Sequence, residues 1–194
     1  MDHKKWLKYL RIPNEPFAAS EQEDNMKFYG KEMLKYKKVL DVGCGTGLLV
    51  NWLRGKGIDA QGITITQKEV SVGKARYGKD HPIRYGDMHE IPFGDSSFDA
   101  INSKDSFEHS LAPYVVLCEF NRLLKDGGFC LIVVPDVRQW QNEDYHYSLF
   151  YSDQMKQLFN KTNFKMEKAE AGPPPVGGTI FTSYFLKKKG NIKF

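Results

Sequence analysis

Apolar residues recur along the chain with two alternating periods. The first stretch is helical: Trp6, Leu7 and Leu10 share a face, Pro13 and Pro16 interrupt it, and Met26, Phe28, Met33 and Leu34 resume it. The texture changes at Lys38. Residues 39–42 (Val-Leu-Asp-Val) predict a short strand, after which Leu48, Leu49, Trp52 and Leu53 return to helical spacing. The exchange then repeats, with a strand over 58–65, a helix over 68–77, and short strands over 83–85 and 98–102. A helix over 112–124 carries Val116, Phe120, Leu123 and Leu124 along one side. It stops at Lys125-Asp126-Gly127-Gly128, where glycine accepts the left-handed C-cap and lysine opposes the helix dipole. Residues 129–134 (Phe-Cys-Leu-Ile-Val-Val) are apolar throughout, the pattern of a strand covered on both faces.

Strands that alternate with helices predict a parallel sheet with right-handed crossovers. After Pro135 the order changes. An aromatic-rich segment over 140–151 precedes a helix over 152–162, and strands follow over 164–169 and 179–187. Their connection, Gly172-Pro173-Pro174-Pro175-Val176-Gly177-Gly178, is a loop by composition and holds no helix, so this pair should be antiparallel. The expected fold is therefore α/β, with a seven-stranded, mostly parallel sheet, an antiparallel last strand and helices on both faces.

Composition narrows the picture. A chain of 194 residues with 41% hydrophobic and 27% charged residues suits one globular domain. Cys44, Cys118 and Cys130 show no CxxC spacing, which argues against a zinc ribbon or a disulfide scaffold and for a reducing, cytoplasmic setting. The longest apolar run, 129–134, is far short of a membrane span, and the first residues lack the apolar stretch of a signal peptide. The net charge of +4 owes much to Lys187, Lys188, Lys189 and Lys193, too weak and too local to indicate a nucleic-acid partner.

The candidate chemistry begins at Gly43-Cys44-Gly45-Thr46-Gly47, between a strand and a helix. Glycine there lets the backbone turn tightly and lets a ligand lie against the chain, with free helix N-terminal amides just beyond. Three ligand classes compete. A nucleotide P-loop needs a terminal Gly-Lys-Ser/Thr, and Gly47-Leu48-Leu49 does not supply it. The dinucleotide fingerprint needs a glycine where Leu48 stands. A nucleoside with an amino-acid end is the third.

At this point the sequence resembles the class I S-adenosylmethionine-dependent methyltransferases over roughly residues 36–187. Residues 39–47 look like the family's first motif. Asp87-Met88 and the run to Asp99 look like its adenine-binding turn and the entry to strand four. Glu119-Phe120-Asn121-Arg122 through Gly128 looks like the helix and turn before strand five. The resemblance implies a Rossmann-like core over 36–194, with residues 1–35 as a helical extension or lid. It implies S-adenosyl-L-methionine as cofactor, cradled by Gly43, Cys44, Gly45 and Gly47 with Asp41 fixing the loop. Asp87 would accept from the adenine amino group, Met88 would offer backbone contact, and Asn102 and Ser103 would lie under the methionine part. The chain departs from the pattern after Ile63. The family usually ends strand two with an acid that holds the ribose, and here Thr64 stands at that place, as in relatives of the cyclopropane-fatty-acid and sterol methyltransferases. Thr64 could bond one hydroxyl and Glu69, one turn further on, another.

On the acceptor side, Asp105, Glu108 and His109 are spaced for one side of a helical turn. Two carboxylates and an imidazole could hold magnesium or manganese, and the run resembles the Glu-x-x-Glu-His of metal-assisted ubiquinone-pathway and small-RNA methyltransferases. The competing reading, and the favoured one, has Glu108 and His109 only capping or lining the cofactor pocket. Trp140, Tyr145, His146, Tyr147, Phe150 and Tyr151 read as an aromatic acceptor-side lid, with His146 or His109 as the base and His146 titrating near neutrality. His89 reads as a surface residue. The expected reaction is methyl transfer to a small-molecule or sugar-like acceptor at oxygen. Alternatives are a non-catalytic binding module on the same fold and a nucleic-acid enzyme, although the Asn/Asp-Pro-Pro-aromatic run of nucleic-acid amino-methyltransferases is absent after residue 102. So short a chain leaves little to shape an acceptor pocket, which is expected to be shallow or completed by a partner subunit in a homodimer.

Overall fold

In the computed structural model of the chain the described residues are 23–137, 146–148, 150–171 and 180–192. The expected helical face at Trp6, Leu7 and Leu10, the aromatics Trp140 and Tyr145, and the loop over 172–178 lie outside them.

The elements follow the expected alternation. Helix α1 (Glu23–Met33) leads to β1 (Lys38–Val42), α2 (Leu48–Gly55), β2 (Asp59–Thr64), α3 (Gln67–Tyr77), β3 (Ile83–Tyr85) and β4 (Phe98–Lys104). A 3-10 turn (Phe107–His109), α4 (Pro113–Leu123), β5 (Leu124–Pro135), α5 (Ser152–Lys161), β6 (Phe164–Ala171) and β7 (Phe181–Lys188) complete them. The seven strands form one sheet in the order β3-β2-β1-β4-β5-β7-β6. The first five run parallel, and β7 lies antiparallel between β5 and β6.

The twofold alternation of side chains along a strand divides the core between the two faces. Leu40 and Val42 of β1 join Cys130 and Ile132 of β5 under α4 and α5, in a cluster with Val116, Phe120, Met155 and Phe159. Val39 of β1 and Phe129, Leu131 and Val133 of β5 face the other way, onto Leu49, Val50 and Leu53 of α2 and onto Tyr29 and Met33 of α1. Helices therefore cover both faces. Helix α1, from the stretch expected as an extension, contributes two buried core residues, with Tyr36 stacked on Phe129 just beyond it.

The strand order reverses between β1 and β4. One crossover path leads from β1 to β2 and β3, and the other from β4 to β5. In an open α/β sheet the crevice at the C-terminal ends of such strands is where ligands bind. Among the described residues no helix is long and apolar enough to cross a membrane.

Candidate functional site

The loop leaving β1 is shaped by its glycines and by what crowds them. Gly43, Gly45 and Gly47 all have positive φ, at 77°, 53° and 88°. The amides of Gly43 and Cys44 both donate to the Ile63 carbonyl at 2.9 Å, which ties the loop to the end of β2. A Cβ on Gly43 would fall on Ser106 Oγ, and one on Gly47 would fall on His81 Nε2. The chain thus needs glycine here for close neighbours as well as for φ. Gly47 occupies the N-cap of α2 without a side-chain cap, so the helix presents its first amides unshielded by a capping group. The Cys44 side chain turns toward Gly62, and its thiol is pushed up by burial.

Asp41 and Asn102 face each other across the β1–β4 pair, where they are register partners. Asn102 Nδ2 donates to Asp41 Oδ1 at 2.7 Å. Burial pushes the Asp41 carboxyl up to about 6, against the pull of Asn102 and Lys104. Asn102 Oδ1 and Ser103 Oγ are buried with no hydrogen-bond partner among the described residues. Buried polar atoms left so are costly, so each calls for a partner that the described fold does not itself supply.

The end of β2 carries the departure noted at Thr64. Thr64 Oγ donates to Glu69 Oε2, and both residues are buried. Glu69 sits in the first turn of α3, whose N-cap Thr66 accepts from the Glu69 amide. The carboxylate missing from the strand end is therefore brought back to it from the next helix.

Asp87 and His89 lie on the turn after β3. The His89 amide donates to Asp87 Oδ1 at 2.9 Å, and the ring Nδ1 lies 2.6 Å from the same oxygen. Contrary to the surface reading, the His89 side chain is 8% exposed. Sequence reasoning missed it because nothing in one-dimensional spacing showed that Ser110 would approach from the far side of the site. Met88 beside it is half-buried and packs on the α4 face of the core. The following loop is clamped by Arg122 of α4, which donates to the carbonyls of Phe93 and Ile91 and to Asp95, while Glu119 accepts from the Ile91 amide.

After β4 the structure differs from the expected helical turn. Asp105 has φ 49° and pairs with Lys104, and only residues 107–109 are helical, as a 3-10 turn. The i, i+3, i+4 argument for Asp105, Glu108 and His109 on one helix side therefore does not apply. The side chains that come together are Glu108, His109 and His146, whose ligand atoms lie within 4.8 Å of one another. Glu108 is buried, and its oxygens lack hydrogen-bond partners among the described residues. Burial and the nearby Asp105 charge raise its carboxyl well above the ordinary range. Burial and His109 push His146 down to about 3, so it does not titrate near neutrality as expected. His146 was legible as a candidate, but its environment was not.

A family model described as a methyltransferase domain matches residues 40–132. An O-methyltransferase of Penicillium expansum, cnsE, is 32% identical, the match covering 66% of this chain and 52% of the relative. A ubiquinone biosynthesis O-methyltransferase of Thiobacillus denitrificans is also 32% identical, over 48% of this chain and 42% of that one. The chain thus spans about half the length of the curated relatives it matches. Among solved structures, the 1,6-didemethyltoxoflavin-N1-methyltransferase of Burkholderia thailandensis, with bound S-adenosylhomocysteine, matches in fold with a TM-score of 0.67 at 16% identity, covering 86% of this chain and 77% of that one. The matched methyltransferase domain covers just under half of the chain, and the sheet, with its β5-β7-β6 arrangement, gives the chain the Rossmann-like fold of the methyltransferases among solved structures.

Proposed function

We propose that the chain is an S-adenosylmethionine-dependent methyltransferase acting on a small-molecule or sugar-like acceptor at oxygen. The observation that carries the reading is the polar cradle at the ends of β1 and β4. There Asn102 Oδ1 and Ser103 Oγ are buried without partners among the described residues, and Asn102 bonds Asp41 at the mouth of the glycine loop. Such atoms suit the amino-acid end of the cofactor. When bound, S-adenosylmethionine supplies a methyl group already activated by its sulfonium. The chain's own part is then to bind, orient and exclude water. Gly43, Gly45 and Gly47 lie against the amino-acid end, Asp87 accepts from the adenine amino group, and Thr64 with Glu69 holds the ribose hydroxyls. An acceptor hydroxyl must lose its proton as the new bond forms. A base with its pKa near 3 takes protons poorly, so the role falls to His109, with neutral His146 against its ring at 4.6 Å between centroids. The two relatives named as O-methyltransferases support oxygen as the target.

A second reading is favoured by the Glu108, His109 and His146 group. One buried carboxylate and two imidazoles suit a zinc, manganese or iron ion better than magnesium, which prefers oxygen ligands. The residues fit: Glu108 has unsatisfied buried oxygens, and His146 is uncharged, the form that ligates. The cation would be held there by these three side chains and would polarise the acceptor oxygen.

Isothermal titration with S-adenosylhomocysteine tests the cofactor reading. Wild type should bind, and Gly45→Arg should not; equal affinity in both defeats it. An acceptor screen scored by S-adenosylhomocysteine release tests turnover, and binding without release across the screen would mark a non-catalytic module.

A further inference from the structure

His89 is held at both ends. Its Nδ1 faces Asp87 Oδ1 at 2.6 Å, and its Nε2 faces Ser110 Oγ at 3.1 Å. The Ala112 amide also donates toward Nε2, at 3.3 Å. One tautomer satisfies all of these contacts. Nδ1–H donates to the carboxylate, and Nε2 accepts from the Ser110 hydroxyl and from the Ala112 amide. The order Asp, His, Ser suggests a nucleophile, but Ser110 is fully buried and its Oγ also accepts from the Ala112 amide at 3.1 Å. No substrate reaches it. The arrangement is a mechanical link.

The link continues toward the acceptor side. The Ser110 carbonyl accepts from Ser148 Oγ at 2.6 Å. The neighbouring Glu108 carbonyl accepts from the amides of Tyr147 and Ser148, both at 2.9 Å. Asp87, Ser110 and Ser148 are all buried, so water does not compete for these bonds. An unbroken series therefore runs from the adenine turn, through His89 and Ser110, to the segment after β5 that carries His146.

We propose that His89 is a positioning residue that couples cofactor binding at Asp87 to the order of residues 146–148 on the acceptor side. The proposal rests on the cofactor reading above. A cofactor that draws on Asp87 fixes its carboxylate, the carboxylate fixes the His89 ring, and the ring fixes Ser110 and with it Ser148. Cofactor binding then prepares the acceptor pocket, and the coupling is reciprocal.

Two substitutions separate the halves of the link. His89→Asn keeps an amide near the place of Nδ1 and can still donate to Asp87, but it does not reach Ser110. Ser110→Ala breaks the same joint from the other side with a small, buried-compatible residue. The readouts are S-adenosylhomocysteine affinity by titration and hydrogen exchange of the Tyr147 and Ser148 amides with and without S-adenosylhomocysteine. In wild type, saturation should slow exchange at both amides by about fivefold or more, the scale of ordinary site coupling. In His89→Asn and Ser110→Ala, affinity should stay within about threefold while that protection is lost, and with turnover the acceptor KM should rise more than kcat falls. His89→Ala should weaken S-adenosylhomocysteine by about tenfold, the scale of a hydrogen bond to a charged group. The coupling is overturned if saturated wild type shows no slowing, or if His89→Asn and Ser110→Ala keep it. It is also overturned if His89→Ala binds as wild type does. Wild type that does not bind S-adenosylhomocysteine at all defeats the cofactor reading itself, a different result from tight binding without protection.

Discussion

Ser106 Oγ occupies the space that a side chain on Gly43 would fill. The serine is held there by its own bond to the Lys104 carbonyl at 2.8 Å, so it cannot swing aside without losing a partner. Gly43 also has φ 77°, where an alanine is strained by about 1 to 2 kcal/mol. Adding the overlap, Gly43→Ala should cost about 3 kcal/mol or more. The double variant Gly43→Ala with Ser106→Gly removes the overlap and keeps the strain, so it should be less destabilised than the sum of the two single variants. Denaturant unfolding of the wild type, two single variants and the double variant decides this. Additive losses would show that Ser106 is not the obstacle.

The bond from Thr64 to Glu69 makes a second prediction. Glu69→Gln keeps an oxygen to accept from Thr64 but removes the charge, whereas Thr64→Val removes the donor and frees the helix carboxylate. If the pair replaces the usual strand-end acid, both variants should weaken S-adenosylhomocysteine by about tenfold, the scale of a hydrogen bond to a charged group. The inhibitor lacking its ribose hydroxyls should bind wild type and Glu69→Gln alike. Weakening that is the same for both inhibitors would place Glu69 in the structure of α3 rather than at the ribose.

These pairs also show which parts of the site were legible in the sequence. Val39 to Gly47 carried a strand, a turn and a helix start in local residue types alone, and the loop formed as the pattern required. The covered strand at 129–134 was read from its lack of alternation, and it is buried on both faces. What local patterns did not carry was approach from a distance. Ser106 against Gly43, His81 against Gly47 and Ser110 against His89 each join segments 21 to 63 residues apart, and nothing in one segment marks the other. The Asp105-x-x-Glu108-His109 spacing misled for a different reason. It assumes a continuous helix, whereas Asp105 takes a left-handed backbone and ends outside the 3-10 turn.

Asp41 sets a pH dependence. Its carboxyl is raised from 3.8 to about 6 in the folded chain, chiefly by burial. The folded state therefore holds this proton more tightly than the unfolded state between those values. Stability contributed by the group is present at low pH and is lost as pH rises through that window. The shift of about two units corresponds to about 2 to 3 kcal/mol. Asp41→Asn keeps an oxygen for Asn102 and cannot ionise. It should match wild type near pH 4 and be the more stable of the two near pH 7.5, by up to that amount. Urea unfolding of both proteins across the range checks it. A constant difference at all pH values would mean that Asp41 is not the titrating group. If Asp41 serves the proposed cofactor cradle, the gain in stability should come with weaker S-adenosylhomocysteine binding.

Glu108 separates a cation site from a buried acid that has none. Both of its oxygens are buried without hydrogen-bond partners among the described residues, and Asp105 repels its charge. In chelator-treated protein near neutral pH, Glu108→Gln should therefore melt higher than wild type, because the native state no longer has to take up a proton on a buried carboxyl. A bound divalent ion reverses the comparison. Zinc or manganese at about 100 times its dissociation constant stabilises the native state by about 2.7 kcal/mol, and only wild type has the carboxylate to receive it. Melting curves of wild type, Glu108→Gln and His146→Ala in chelator, zinc, manganese and magnesium should show a metal-dependent rise in wild type alone, larger for zinc or manganese than for magnesium. A rise of equal size in all three proteins would come from sites elsewhere on the chain. No rise in wild type would leave Glu108 as an acid kept protonated by its burial and would remove the metal reading, leaving the proposed base at His109 without a cation beside it.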